Sequence, residues 1–454
     1  MIIIARVSIE IDPPSERSLN WLNAWFDFDG HRTSLGSELV AGLTTFTTMS
    51  YIVVINPAIL STAGIPAGPS FVATVLVAAF GCYLMAFYAN RPFAIAPYMG
   101  ENAFVAFTVC KLLGFRWQTA LAAIFFAGAA FILMTILRLR QWVVEGVPIS
   151  LRYSFAVGIG LFLTFIGLNQ TGLVTLGVAG APVQAGHLTS HPALVAMFGF
   201  VLITILVIRK VPGAILLGIV ITAIVAFAAK TAPSPHGFVS LPPSVAPIVW
   251  QLDLRGAFTW RAFPVVLTIF IMAFVDTMGT LIGLSARAGF LDENGQLPLI
   301  ERPMLVDAIS TCIAPVLGTT TAGAYVESAT GIEAGGRTGF TVFVTGTCFL
   351  LTLFFSPFVA AIPPQAYGPA LIIVGLFMLA PITHVDFADY TESVPAFAVV
   401  SLMAFTFNIA IGICAGFVLY PICKLVAGKA SHLKPGLWVL TTISLLFFIF
   451  YPYS

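Results

Sequence analysis

Charged side chains are scarce in this sequence of 454 residues. Asp, Glu, Lys and Arg together make up 9% of the chain, hydrophobic residues make up 59%, and the mean hydropathy is +1.00. Soluble proteins carry roughly 25% charged residues, and a soluble fold could not cover this much apolar surface. The net charge of +1 gives no basic patch for a nucleic acid partner. The composition therefore predicts an integral membrane protein in contact with lipid.

Closely spaced cysteines and metal-ligand motifs are missing as well. The six cysteines stand singly within apolar runs: Cys82, Cys110, Cys312, Cys348, Cys414 and Cys423. A zinc site or redox pair needs ligands at short, regular spacing, and a membrane-embedded enzyme needs a nucleophile with its base or a metal cluster. Neither pattern is visible, so we expect no catalytic residues, no bound metal and no cofactor. The first residues also lack the pattern of a cleaved signal peptide.

Long apolar runs are abundant. A bilayer-spanning helix needs about 20 mainly apolar residues, so the chain has room for roughly a dozen or more spans. The runs 412–428 and 436–453 are either a hairpin or one span with an interfacial segment. Basic residues fall in alternate loops, for example Arg91 and Arg287. This distribution predicts a multi-pass protein of the cell (inner) membrane with a cytoplasmic N-terminus.

A proline-rich polar stretch divides the apolar runs into two similar halves. It contains Pro233, Pro235, Pro242, Pro243 and Pro247, and proline enforces extended, non-helical backbone. The stretch is either a linker between two repeats or a surface loop. The linker interpretation divides the chain into a cytoplasmic segment 1–35, a first repeat 36–229, a linker 230–261 and a second repeat 262–454.

Two interrupted helices occupy comparable positions in the two halves, at 90–102 and 318–331. Both contain glycine together with proline or a run of threonines, which leaves backbone N–H and C=O groups free. Such backbone is tolerated at membrane depth only where it is buried in protein or lines a wet cavity. A matched pair of breaks indicates the substrate site of an inverted-repeat transporter.

Each break also carries an acidic residue beside a helix start, Glu101 in the first and Glu327 in the second, while Asp276 lies in a long apolar run. An ionised carboxylate at the centre of a spanning helix costs roughly 2.5–3.5 kcal/mol. We therefore expect these side chains to face a cavity, although Glu101 can instead lie near the interface and be solvated. One helix face carries Asp276, Gly279, Thr280 and Gly283. Its glycines can equally serve tight helix packing.

At these residues the sequence resembles the AzgA-like purine permeases, a branch of the nucleobase-ascorbate transporter family that includes xanthine and uracil permeases. The resemblance covers nearly the whole chain, and its motifs are Gly36–Phe46, Asn56–Leu60, Asn90–Asn102, Val275–Leu281, Tyr325–Gly331 and Gly335–Gly339. It implies an all-α polytopic membrane protein of about fourteen segments in two inverted repeats, with short strands in spans 3 and 10. The core domain would comprise 36–140 and 262–361, and the gate domain 150–229 and 366–430.

The resemblance also implies substrate contacts. Asp276 and Glu327 would hydrogen-bond the ring nitrogens and exocyclic groups of a purine base, and Asn102 would support the site. Family members are often homodimers, so a second copy of this chain is an expected partner.

Two positions depart from the family pattern. Ala273 stands where many members have an aspartate, and Tyr98 and Glu101 stand where many have glycine and an apolar residue. We hypothesise that Glu101 replaces the missing carboxylate within the same cavity.

A purine base is a flat, neutral ring that needs a few fixed polar partners and an apolar or aromatic surface for its faces. Phe93, Tyr98 and Tyr325 are candidates for that surface, and Thr280 and Ser328 are further candidate contacts. Burial disfavours the ionised form of a carboxylate, so protonation can accompany substrate binding. The sequence thus predicts a secondary transporter that takes up purine bases by proton symport, with coupling at Asp276 and Glu327. Sodium is the alternative cation.

Other functions stay open. The same fold could carry uracil, xanthine, urate or a small organic anion, although anion carriers should prefer a positive site and these breaks carry acids. A channel would line a continuous path with repeated polar rings, which are not visible. The sequence does not indicate which purine base is carried.

Overall fold

The protein is described here by a computed structural model that covers residues 22–137, 146–178, 181–235, 237–292 and 297–450. Most of the predicted cytoplasmic segment 1–35, up to residue 21, lies outside these ranges. Within them, nine helices are long and apolar enough to cross a membrane. The predicted all-helical polytopic fold is confirmed.

The elements before the proline-rich stretch form seven segments, in which the third is a short strand followed by a helix. In chain order they are α1 Leu35–Met49 with α2 Ile52–Ser61, α3 Ala67–Leu84, β1 Ile95–Pro97 with α4 Met99–Ala103, α5 Trp117–Ile136, α6 Ile149–Gln170, α7 His191–Ile208 and α8 Ala214–Ala228. Both α3 and α4 continue as π-helix, over Met85–Ala89 and Phe104–Leu112. A hairpin that the sequence did not predict, β2 Val174–Val178 and β3 Ala181–Ala185, lies between α6 and α7.

The second half follows the same order after a short helix in the linker, α9 Leu254–Ala257. Its segments are α10 Phe263–Ala288, α11 Glu301–Leu317, β4 Ala322–Ala324 with α12 Ser328–Glu333, α13 Gly339–Thr352 with α14 Ser356–Ala361, α15 Pro364–Phe377, α16 Tyr390–Phe405 and α17 Ile409–Val426. A further helix, α18 Pro435–Phe450, packs against α17. The short strands predicted in spans 3 and 10 are therefore present.

Helix ends coincide with residues that satisfy free backbone groups. The side chains of Ser34, Ser190 and Asp389 accept hydrogen bonds from backbone N–H groups at the starts of α1, α7 and α16, which stabilises a helix start by roughly 1 kcal/mol each. Gly289 and Gly318 end α10 and α11 with positive φ angles of 71° and 93°, a conformation that glycine adopts without steric cost.

The helices pack in two groups. In the first group, α13 lies against α1 and α3, α11 lies against α5 and α3, and α10 lies against α5. In the second group, α6 lies against α15 and α16, and α7 lies against α8 and α15. The first group carries both broken spans. That these groups act as a core domain and a gate domain that move against each other stays a prediction.

A buried carboxylate joins α1 to the loop before α13. Glu38 Oε1 accepts hydrogen bonds from the backbone N–H groups of Arg337 at 2.8 Å and Thr338 at 3.2 Å, and Oε2 accepts from the backbone N–H and the hydroxyl of Thr341. The Arg337 guanidinium donates to the carbonyls of Ile332 and Gly336 at the end of α12. Glu38 and Arg337 therefore fix α12, which carries part of the candidate site, relative to α1.

We expect Glu38→Ala to lower the free energy of unfolding by about 2 kcal/mol, because it leaves backbone N–H groups at the start of α13 without their acceptor. The measurement is equilibrium unfolding of the purified protein in mixed detergent micelles. Glu333→Ala is the matched control, since it removes an exposed carboxylate that pairs with the exposed Arg287, a contact worth roughly 0–1 kcal/mol. Equal stability of the two variants would contradict this role of Glu38.

Candidate functional site

The two broken spans meet through their short strands. β1 and β4 pair antiparallel, with Ile95 opposite Ala324 and Pro97 opposite Ala322. The Tyr98 N–H donates to the Thr321 carbonyl at 3.0 Å, and the Tyr325 N–H donates to the Ala94 carbonyl at 2.9 Å. Each break thus satisfies the backbone groups freed by the other, which is the condition for non-helical backbone at membrane depth.

A buried aspartate on α11 holds this pair of strands in place. Asp307 Oδ2 accepts hydrogen bonds from the Ala324 N–H at 3.1 Å and from the Tyr98 hydroxyl at 3.3 Å. The Tyr98 hydroxyl also lies 3.2 Å from Thr277 Oγ1 on α10. Its ring lies directly over Gly323, where any Cβ would collide with the hydroxyl. Asp307 and Tyr98 therefore connect α10, α11 and both strands.

Three predicted carboxyl groups lie near this sheet, two of them beside each other and the third across the ring of Tyr325. Glu101 is completely buried and close enough to Asp276 for electrostatic interaction, although neither of its oxygens makes a hydrogen bond of good geometry within the described residues. Glu327 Oε1 accepts a hydrogen bond from the Tyr51 hydroxyl at 2.5 Å. Tyr325 lies within electrostatic range of both Glu101 and Glu327. We call Glu101, Asp276 and Glu327 the carboxyl cluster.

The carboxyl cluster borders open space along α10. A Cβ added to Gly279 or Gly283 would find no atom of the described residues within 4 Å. Gly279 and Gly283 are exposed, Asp276 and Thr280 are partly exposed, and Val326, next to Glu327, is 64% exposed. No helix of the described residues packs against these glycines, so the polar face of α10 is open on that side.

The other predicted site residues make their contacts within the two breaks or directly beside them. The Asn102 amide oxygen accepts a hydrogen bond from the Thr320 hydroxyl, and Ser328 Oγ accepts one from the Ala94 N–H at 2.9 Å. The Tyr325 hydroxyl donates to the Pro97 carbonyl. The fully buried Phe93 ring lies 6.3 Å from that of Phe290.

The Tyr98 and Tyr325 rings lie nearly parallel at an interplanar angle of 8°, with centroids 6.4 Å apart. Both aromatic candidates therefore lie at the sheet beside the carboxyl cluster. Both of their hydroxyl groups already have protein partners.

Two residues of this site were not predicted, Tyr51 and Asp307. Asp307 stands alone in an apolar helix in the same way as Asp276, so the criterion applied to Asp276 would also have found it. Tyr51 lies at the junction of α1 and α2, and nothing in the sequence links it to Glu327, 276 positions away.

An open cleft lies elsewhere. Its volume is about 450 Å³, and its lining includes Thr62, Lys111, Arg116 and Trp117, at the loop ends of α2, α4 and α5. None of the predicted site residues lines it, so we place the candidate site at the carboxyl cluster because the buried polar groups lie there.

Comparison with known proteins identifies the family. The model of the Permease family, that of the xanthine and uracil permeases, matches residues 36–415. The chain belongs to this family. It is 39% identical over 425 residues to the adenine permease AdeP of Escherichia coli, covering 94% of this chain and 95% of AdeP. It is 38% identical over 440 residues to the guanine/hypoxanthine permease PbuG of Bacillus subtilis, covering 94% and 100%. These relatives are permeases and not enzymes.

Solved structures with the same fold are transporters of low sequence identity. The transmembrane domain of the cyanobacterial bicarbonate transporter BicA superposes on this permease with a TM-score of 0.62 at 16% identity, covering 84% of this chain and 97% of that one. A structure of SLC26A9 gives a TM-score of 0.63 at 12% identity, covering 90% and 68%. The permease therefore has the inverted-repeat fold that the resemblance implied.

Proposed function

We propose that this permease takes up purine nucleobases by proton symport, and that the base binds at the carboxyl cluster. Support for a purine substrate comes from the relatives named as adenine and guanine/hypoxanthine permeases, which match over nearly their whole length. The observation that carries the site assignment is the approach of Glu101 to Asp276 at the paired breaks, with Tyr325 in electrostatic range of Glu101 and Glu327, beside an accessible helix face.

The chemistry of the cluster suits a neutral base with N–H groups at its edge. Carboxyl oxygens of Asp276 and Glu327 accept hydrogen bonds from ring and exocyclic N–H groups, and Thr280 adds a hydroxyl on the same face of α10. Tyr325 and Tyr98 offer aromatic surface nearby, in keeping with the apolar lining of small-molecule sites. Ser328 accepts a hydrogen bond from the backbone of the first break, and Asn102 accepts one from the Thr320 hydroxyl of the second, so both support the site from behind.

Proton coupling follows from the same groups. An ionised carboxylate is costly away from water, so taking up a proton when the site closes is favourable. Asp276 and Glu327 are our candidates for this step. In the proposed cycle the core domain and the gate domain move against each other and expose the site to each side in turn. We place the permease in the cell (inner) membrane with its N-terminus in the cytoplasm, and we include a homodimer in the proposal.

The substrate class is tested by uptake into cells that lack their own purine permeases. We expect labelled adenine or hypoxanthine to accumulate, and unlabelled adenine, guanine, hypoxanthine and xanthine to compete to different extents. A protonophore should abolish accumulation in sodium-free buffer. Competition by uracil or urate alone would favour the alternative nucleobase substrates, and uptake that ignores the protonophore would exclude proton symport.

A small organic anion is the weaker alternative. In the described part of the chain, no Lys, Arg or His forms a salt bridge with a member of the carboxyl cluster. A site with several carboxyls and no paired cation repels anions, because like charges at short range in a low dielectric are strongly unfavourable.

A further inference from the structure

Glu101 is the fully buried member of the carboxyl cluster, whereas Asp276 and Glu327 are partly exposed. Its side chain is fully buried, and neither carboxyl oxygen has a hydrogen-bond partner among residues that the structure describes. A buried, ionised carboxylate without donors costs several kcal/mol. The environment of Glu101 is therefore suited to a carboxyl that holds a proton during part of the transport cycle.

The nearest charged group to supply or share that proton is Asp276. Glu101 comes from α4 and Asp276 from α10, so the two belong to different halves of the chain and approach across the site. The titratable groups that face them are Tyr98, which is in electrostatic range of both, and Tyr325, which is in range of Glu101. Asp307 lies on the other side of Tyr98, and Glu327 on the other side of Tyr325. All are acidic or neutral, so no neighbouring cation among the described residues relieves the repulsion between Glu101 and Asp276.

The other carboxyl groups differ because they already have donors. Glu327 accepts from the Tyr51 hydroxyl, and Asp307 accepts from a backbone N–H and from Tyr98. These two can stay ionised at lower cost, since hydrogen bonds to the charged form stabilise it. Glu327 keeps a second oxygen for the substrate, whereas Asp307 serves the fold.

We propose that Glu101 and Asp276 form one proton-exchanging pair that gains one proton before transport and releases it afterwards. Two carboxyls that interact strongly lose their protons in two separated steps, so only one of these steps falls within the working pH range. One proton and one neutral base then cross together, and each cycle moves one positive charge inward. This assignment rests on the proposed function and replaces Glu327 with Glu101 as the partner of Asp276 in coupling.

The stoichiometry is measured in proteoliposomes that contain the purified full-length permease, with the membrane potential clamped at zero by potassium and valinomycin. An inward proton gradient of one pH unit should concentrate labelled hypoxanthine or adenine about tenfold at steady state, because one proton contributes about 1.4 kcal/mol. Glu101→Gln and Asp276→Asn should each abolish this concentration ratio. Glu333→Gln, the same chemical change at an exposed salt bridge, should leave it at about tenfold.

Three results would overturn the assignment. The first is a ratio near one hundredfold in the wild type, which requires two protons; the second is retention of the tenfold ratio by Glu101→Gln; the third is accumulation that depends on a sodium gradient.

Exchange of labelled for unlabelled base without any gradient tests the proposed function separately. If the wild type exchanges no purine base, the proposed function fails. If it exchanges base but ignores the proton gradient, the proton symport of the proposed function fails together with the coupling pair. If the wild type follows the gradient and Glu101→Gln keeps the tenfold ratio, only the assignment of the pair fails. Should Glu101→Gln not insert, Glu327→Gln decides: it should still reach the tenfold ratio, although slowly, and loss of the ratio would return the coupling role to Glu327.

Discussion

Glu327→Gln is expected to reduce the initial rate of purine base uptake about a hundredfold. The Glu327 carboxylate is held by the Tyr51 hydroxyl at 2.5 Å and presents its remaining acceptor capacity beside the polar face of α10. A glutamine places an NH₂ group where the base also presents an N–H, so one donor is left unpaired. Loss of a charge-assisted hydrogen bond costs roughly 1.5–3 kcal/mol, which corresponds to about one hundredfold at the upper end. The measurement is uptake of labelled base at equal amounts of protein in the membrane.

Two further variants make this result specific. Tyr51→Phe removes the hydroxyl that orients Glu327 and keeps the ring, so we expect a smaller loss of about tenfold, from roughly 1.4 kcal/mol. Glu333→Gln makes the same change as Glu327→Gln on an exposed side chain and should leave uptake unchanged. If Glu327→Gln transports within twofold of the wild type, Glu327 does not contact the substrate.

The broken spans were predictable because their cause is local. Pro92 and Pro97 in the first break and Gly318 and Gly323 in the second prevent regular helix by their own backbone properties. That the breaks form strands which pair with each other came from the family resemblance. The β2–β3 hairpin was missed, because its exposed strands pair only with each other and leave no mark in the hydropathy pattern.

The partners of buried charges were not predictable, because they depend on tertiary contacts. Asp276, Asp307 and Glu38 are all acids within apolar stretches of helix. One faces open space, one holds the paired strands and one satisfies the N–H groups before α13. Sequence can state that an intramembrane acid needs a partner. Whether that partner is a substrate, a proton or the protein's own backbone depends on which helices lie beside it.

Another buried charge, Lys424 on α17, joins the three helices α6, α16 and α17. Its ammonium lies 2.5 Å from Glu392 Oε1 and donates to the Thr391 hydroxyl at 2.7 Å. Glu392 also accepts hydrogen bonds from the hydroxyls of Tyr420 and Ser150. Ser150 belongs to α6, Glu392 to α16, and Tyr420 and Lys424 to α17, so one ion pair fixes the relative positions of all three helices.

Lys424→Met is therefore expected to lower the free energy of unfolding by about 3–4 kcal/mol, because it leaves the Glu392 carboxylate without its cation. The side chain of Lys424 is only 3% exposed, whereas that of Glu392 is 22% exposed. Water can therefore solvate the Glu392 carboxylate only in part once its cation is removed. The double variant Lys424→Met/Glu392→Gln should recover much of the stability, since it removes the uncompensated charge. Equilibrium unfolding in mixed micelles measures the wild type, Lys424→Met, Glu392→Gln and the double variant. A double variant as unstable as the sum of the single changes would show that the two residues are not coupled.

Lys429→Met supplies the matched control a few residues further along the chain. Lys429 pairs with Asp389 at 2.7 Å, but its side chain is 42% exposed, and exposed ion pairs contribute roughly 0–1 kcal/mol. The hydrogen bond from Lys429 is the first cause of the lowered pKa of Asp389, followed by those from Thr391. Because the Thr391 hydrogen bonds persist in the variant, Asp389 still starts α16 and the helix keeps its position. A loss of stability in Lys429→Met as large as that in Lys424→Met would mean that the local charge of this loop, and not the buried pair, holds α6, α16 and α17 together.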